Sequence, residues 1–237
     1  MKKSVTISVE TSGRSGSVAI GIDDEILEET RFSGQLKHNA ELFTAIKELL
    51  GKYNYNPDQI DNIYCVIGPG SFTGIRISVT LAKMYALAVN ARVTAVNTMD
   101  ALRLNADDYE TDTGTQVHRL ATVIDAKRGL FFAAVFEKHD NNWVKTTDDT
   151  MIKSQDFVKE FCRNKTVWML GEGLVFYKDD FACENVKFLP EKYWPARAKN
   201  VYLIGQQLSK QNVLTDPAKL VPFYLRGPDA KPKKGLK

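Results

Sequence analysis

The chain has 237 residues, 43% hydrophobic and 26% charged, and 32 Lys and Arg against 29 Asp and Glu leave a formal net charge of +3. That balance excludes a disordered chain, leaves room for two cores of about 100 residues each, and gives only weak support for nucleic-acid contact, because Lys231, Lys233, Lys234 and Lys237 crowd the tail. Three widely spaced cysteines, Cys65, Cys162 and Cys183, with no Cys-x-x-Cys pair, argue against a disulfide framework or zinc site and fit a reducing cytoplasm.

Val5, Ile7 and Val9 alternate with Thr6 and Ser8, which predicts a strand; Glu10 to Gly16 turns the chain into a second strand, Ser17 to Ile22, and a third runs from Ile26 to Phe32. Ser4, Thr6 and Ser8 break up the apolar residues after Lys2-Lys3, against a signal peptide, and no segment has the roughly 18 unbroken apolar residues of a membrane span. After the loop Ser33-Gly34-Gln35, a helix from about His38 to Tyr53 carries the stripe Leu42, Ile46, Leu49 and Tyr53. The apolar run Ile63 to Ile67 reads as a buried strand feeding Gly68-Pro69-Gly70-Ser71-Phe72-Thr73-Gly74, and Ile75-Arg76 then enters a helix reaching Asn90. Glycines there admit close backbone approach, Ser71 or Thr73 can cap the helix, and its first N–H groups favour an anion. On this second helix Ser78, Ala82 and Ala86 form a small-residue stripe beside Leu81, Tyr85 and Val89, suited to core packing or to a partner helix.

A strand Val93 to Val96 follows, and the polar, acidic stretch Asn105 to Gln116 reads as an interdomain linker or surface loop. Leu120 to Ile124, the turn Asp125-Ala126-Lys127-Arg128-Gly129 and Leu130 to Phe136 repeat the opening hairpin. Beyond them come a short strand near Trp143-Val144, a helix from about Ser154 to Arg163, a strand Val167 to Leu170 running into Gly171-Glu172-Gly173, and a last helix from Arg197 to Leu208. The expected division is a first subdomain of residues 1–104 plus 197–212, a smaller second one of 105–196, and a tail of 213–237.

Two units that each open on a β-hairpin resemble the α/β architecture of paired ribonuclease-H-like subdomains, mixed sheets flanked by helices, found in the actin, Hsp70 and sugar-kinase superfamily. The stretch GPGSFTGIRISVTLAKMYALA, preceded by VETSGRSGSVAI and followed by IDAKRGLFFAAVF and VPFYLRGPDA, is similar to the bacterial TsaB (YeaZ) family over most of the chain. The stretch from about Asp140 to Asn185 matches least well. The resemblance implies a non-catalytic, cytoplasmic accessory role in making threonylcarbamoyladenosine beside the anticodon of tRNAs that read codons beginning with A. It implies a TsaD-like paralogue as partner, a TsaE-like ATPase in a larger complex, and tRNA contact only through that complex.

Residue by residue, the resemblance gives Glu10, Thr11, Ser12, Gly13, Asp125, Gly171 and Gly173 as vestiges of a nucleotide site, with Glu10 where the superfamily usually places an aspartate. It gives Gly68, Gly70, Ser71, Thr73, Gly74 and Arg76 as a structural loop. The catalytic paralogue holds its metal with two histidines four residues apart on the first helix; here that spacing gives His38 and Leu42, so no metal site is expected. No cofactor is expected on the chain alone, and an ATP or ADP in a composite site with partners stays open. The predicted partner surface is His38, Leu42 and Ile46 on the first helix with Ser78, Ala82, Tyr85 and Ala86 on the second, and a homodimer through the same helices stays open. The alternative is an independent enzyme of peptidase or small-molecule kinase type. Gly70-Ser71-Phe72 is not the G-x-S-x-G frame, and G-x-x-x-x-G-K-[ST] is absent.

Overall fold

The computed structural model describes residues 3–33, 38–140 and 142–225, excepting the side chains of 38–40. The lysine-rich tail and the Gly34-Gln35 part of the first loop lie outside the described residues. Strands β1 (Val5–Glu10), β2 (Ser17–Ile22) and β3 (Glu25–Arg31) form an antiparallel meander. Helix α1 (His38–Lys52) leads to β4 (Ile60–Gly68), helix α2 (Phe72–Val89) to β5 (Arg92–Asn97), and β4 and β5 extend the sheet in parallel from β1. The sheet order is β3-β2-β1-β4-β5.

The second sheet repeats it with β6 (Arg119–Asp125), β7 (Phe131–His139), β8 (Asn142–Ile152), β9 (Val167–Leu170) and β10 (Val186–Phe188). Its order, read from the other edge, is β8-β7-β6-β9-β10, with the same antiparallel and parallel pairings. Helix α4 (Ser154–Phe161) follows β8, and the single turn α5 (Leu174–Tyr177) follows β9.

Two helices cross between the sheets. Helix α3 (Thr98–Thr113) leaves β5 and buries Met99, Leu102, Ala106 and Tyr109 in the core of the second sheet. Helix α6 (Ala198–Lys210), coming from the second unit, packs Val201 and Tyr202 against Tyr64 and Val66 of the first sheet. This explains a departure from the pattern of β1. Alternation of Val and Ile with Thr and Ser implies one wet face, yet all six residues of β1 are buried because α6 covers the polar side. Ser8 Oγ donates to Ala198 O at 2.8 Å, and Thr6 Oγ1 accepts from Asn62 Nδ2 at 2.9 Å.

The stretch Asn105–Gln116, read as a linker, is corrected: up to Thr113 it is the second half of α3. Two of its acidic residues are held by partners distant in sequence. Asp108 pairs with Arg197 and Lys199, each at 3.1 Å, and Glu110 pairs with Lys138 at 2.5 Å. The short strand expected near Trp143-Val144 is the eleven-residue β8, and Arg197 stands before α6 as its N-cap rather than inside it. Helix α2, with 18 residues, is long and apolar enough to cross a membrane by length and composition. Its inward face, with Gly74, Ile75, Ser78, Val79, Leu81 and Ala82, is buried on the first sheet.

Candidate functional site

The turn between β1 and β2 and the glycine loop after β4 are packed directly on one another. Ser71 N donates to Ser12 O at 2.7 Å, and Thr11 Oγ1 donates to Gly74 O at 2.7 Å. A Cβ on Gly74 would lie 1.8 Å from Thr11 O, so this glycine is required by backbone contact. Gly70 and Gly68 are similarly close to Ser12 O and Phe223 O. Ser71 is the N-cap of α2: its Oγ accepts from Gly74 N at 3.3 Å, while Thr73 is exposed. Of the two expected cap candidates, Ser71 is therefore the one that caps the helix.

Glu10 is buried completely at the head of this turn. Its Oε1 accepts from Ser12 N at 2.5 Å and Ser12 Oγ at 2.6 Å, and Oε2 has no hydrogen-bond partner. Burial pushes the carboxyl up to about 7, the donors on Ser12 and Gly13 pull it back, and Glu172 adds repulsion.

Glu172 connects the two units. One of its carboxylate oxygens accepts from Arg14 N and the other from Ser15 N at 3.4 Å. Its flanking glycines are fixed on β6: Gly173 N donates to Val123 O at 3.0 Å, and Gly171, at φ +123°, would bring a Cβ 2.1 Å from the same oxygen. Burial raises the Glu172 carboxyl, while the N–H groups of Arg14 and Ser15 and the Arg14 charge lower it. Asp125, on the second hairpin turn, accepts from Lys127 N and pairs with Lys127 Nζ, both at 2.7 Å.

The arrangement fits a nucleotide phosphate poorly. The N–H groups that a hairpin turn would offer to phosphate face a protein carboxylate, with the buried Glu10 beside it. Among the described residues no three His, Cys, Asp or Glu side chains come together as a metal site would need. The glycines around Glu172 stand out in the sequence, whereas Glu172 itself, Arg14 and Ser15 do not. The internal repeat carries the missing signal, since Gly171-Glu172-Gly173 follows β9 as the glycine loop follows β4.

The predicted partner surface is corrected in part. Leu42, Ile46, Ser78 and Ala82 are all buried in the chain's own core, so the small-residue stripe faces inward. Tyr85 and Ala86 are half-buried, and the side chain of His38 lies outside the described residues. What α1 and α2 present outward is Phe43, Phe72, Met84 and Leu87, the last 87% exposed. Residues 223 and 224 support this region, a role with no signal in the local sequence. Phe223 N donates to Ile67 O at 2.8 Å, Tyr224 stacks on Phe72 with ring centroids 5.0 Å apart, and Arg76 lies 3.8 Å over Phe72 and donates to the Tyr224 hydroxyl at 2.8 Å.

The family model for TsaD, tRNA N6-adenosine threonylcarbamoyltransferase, matches residues 26–231. Among curated relatives, the tRNA threonylcarbamoyladenosine biosynthesis protein TsaB of Bacillus subtilis is 22% identical over 96% of both chains. TsaB of Buchnera aphidicola from Schizaphis graminum is 21% identical over 89% of this chain and 98% of its own. Among solved structures, YeaZ from Pseudomonas aeruginosa superposes with a TM-score of 0.77 at 19% identity, covering 94% of this chain and all of that one. The paired sheets are thus the fold of YeaZ, two mixed α/β sheets flanked by helices as expected. The chain belongs to the family described by the TsaD model and, within it, to the TsaB (YeaZ) group.

Proposed function

We propose that the chain acts in the biosynthesis of threonylcarbamoyladenosine in tRNA as a cytoplasmic, non-catalytic subunit that supports a TsaD-like transferase. The observation that carries the reading is the outer face of α1 and α2, where Phe43, Met84 and Leu87 stand in solvent although the inner faces of both helices already fill the core. Exposed apolar side chains on adjacent helices suit a homologous helix pair, and burying Leu87 alone would contribute about 2 kcal/mol. The occupied turn and the capping role of Ser71 support the absence of chemistry on this chain. A TsaE-like ATPase and tRNA join the complex rather than this chain alone, and any ATP or ADP is shared with a partner.

Met84→Asp and Leu87→Asp test the surface, since both side chains are exposed and lie outside the core of the first sheet. Binding of the TsaD-like protein, followed by calorimetry, should weaken at least about tenfold, and threonylcarbamoyladenosine in cellular tRNA, followed by mass spectrometry, should fall. Unchanged binding together with unchanged modification would overturn the assignment.

A further inference from the structure

A hairpin turn with consecutive N–H groups aimed at one point is an anion receptor, and a carboxylate and a phosphate present similar oxygens to it. In this chain that point is occupied by a side chain from the other sheet. Glu172 accepts from Arg14 N with one oxygen and from Ser15 N with the other, and its backbone is fixed through Gly173 N on Val123 O. A Cβ on Gly13 would lie 2.5 Å from Glu172 Oε2, so glycine at this position makes room for the carboxylate. One turn further along, Phe176 of α5 lies under the Arg14 guanidinium at 4.7 Å, a second contact between the same two segments.

We propose that Glu172 is an internal anionic ligand of the Gly13–Ser15 turn: it latches the second sheet to the first and keeps phosphate-bearing ligands out of that turn. Three features converge on this reading. The carboxylate divides its oxygens between adjacent N–H groups, as a bound anion would. Its flanking glycines lie against β6, which sets the direction in which it reaches. The contact joins residues 158 apart in sequence, so it spans the two units rather than closing a local turn. An external phosphate would have to displace a tethered competitor present at high effective concentration and then sit beside Glu10. The latch goes beyond the partner role and does not rest on it, because it is measured on the chain alone.

Amide exchange by NMR reads the latch directly. In Glu172→Ala the amides of Arg14 and Ser15 should exchange about tenfold faster or more, while those of Ile7 and Val9 in β1 keep their rates. Inorganic pyrophosphate added at pH 6 should then shift the Arg14 and Ser15 amides in the variant and leave them unmoved in the original chain. Equal exchange in both chains overturns the proposal, as does a pyrophosphate response that is the same in both. Should the alanine variant fail to fold, Glu172→Gln, which keeps the shape and removes the charge, is read for the same two amides. Faster exchange confined to them supports the latch, and unchanged exchange overturns it.

Discussion

The turn from β1 to β2 and the turn from β6 to β7 hold the same place in two sheets of one strand order, yet they are held in opposite ways. The first depends on distant residues: Ser71 on Ser12, Gly74 beneath Thr11, and Glu172 on Arg14 and Ser15. The second carries bonds within its own turn. Asp125 binds its own Lys127, Ala126 N donates to Leu130 O at 2.9 Å, and the exposed residues Lys127, Arg128 and Gly129 follow one another at positive φ. The two hairpins therefore differ in role, one a junction between units and the other an exposed loop. Lys127 and Arg128 both hold the left-handed backbone, which non-glycine residues adopt at a cost of roughly 1 kcal/mol each.

That contrast can be broken most severely at Gly74. Gly74→Ala should destabilise the chain by at least about 4 kcal/mol or prevent folding, because the new Cβ would meet backbone at 1.8 Å. Urea denaturation gives the figure, and a loss below about 1 kcal/mol would show that the junction can part without cost.

Glu10 gives the next largest effect. Its carboxyl is raised from 4.5 to about 7, so the folded state holds a proton that the unfolded state releases between those values. Stability should therefore be highest below pH 4.5 as far as this group decides it, and fall by up to about 3 kcal/mol as pH rises through 7. Glu10→Gln should flatten that slope in denaturation curves taken from pH 5 to 8, whereas an unchanged slope would place its origin elsewhere.

Smaller effects separate the two turns further. Ser71→Ala removes the α2 cap and should cost about 1 kcal/mol while leaving tRNA modification intact. Lys127→Ala, at an exposed ion pair with Asp125, should change stability by no more than about 0.5 kcal/mol in the same measurement.

Strands and hairpins were legible because each carried a local pattern: β2 and β9 match their predicted bounds, and both sheets open on the hairpins read from the sequence. What escaped was decided by partners far along the chain. In α3 the buried set Ala101, Leu102, Asn105, Ala106 and Tyr109 has helical spacing, but four acidic residues masked it; Arg103 pairs with Asp107 within the helix, while the partners of Asp108, Glu110 and Asp112, namely Arg197, Lys138 and Lys192, are tertiary. Ser78 and Ala82 were read correctly as allowing close approach, while the approaching element is the chain's own sheet. Within the site, the glycine loop was plain in the sequence. The Glu172 contact was not, since nothing local to residue 172 indicates Arg14 and Ser15.

The crossing of α3 and α6 makes each half the keeper of its neighbour's interior. Cutting the chain at the exposed Gly114 would leave α3 with the first sheet, apart from the second core that its Met99, Leu102, Ala106 and Tyr109 fill, and α6 on the other fragment. Neither piece would mature alone, whereas the two mixed together could reassemble. The same reciprocity gives heat no weaker half to melt first, so a scanning calorimeter should record a single peak for the intact chain.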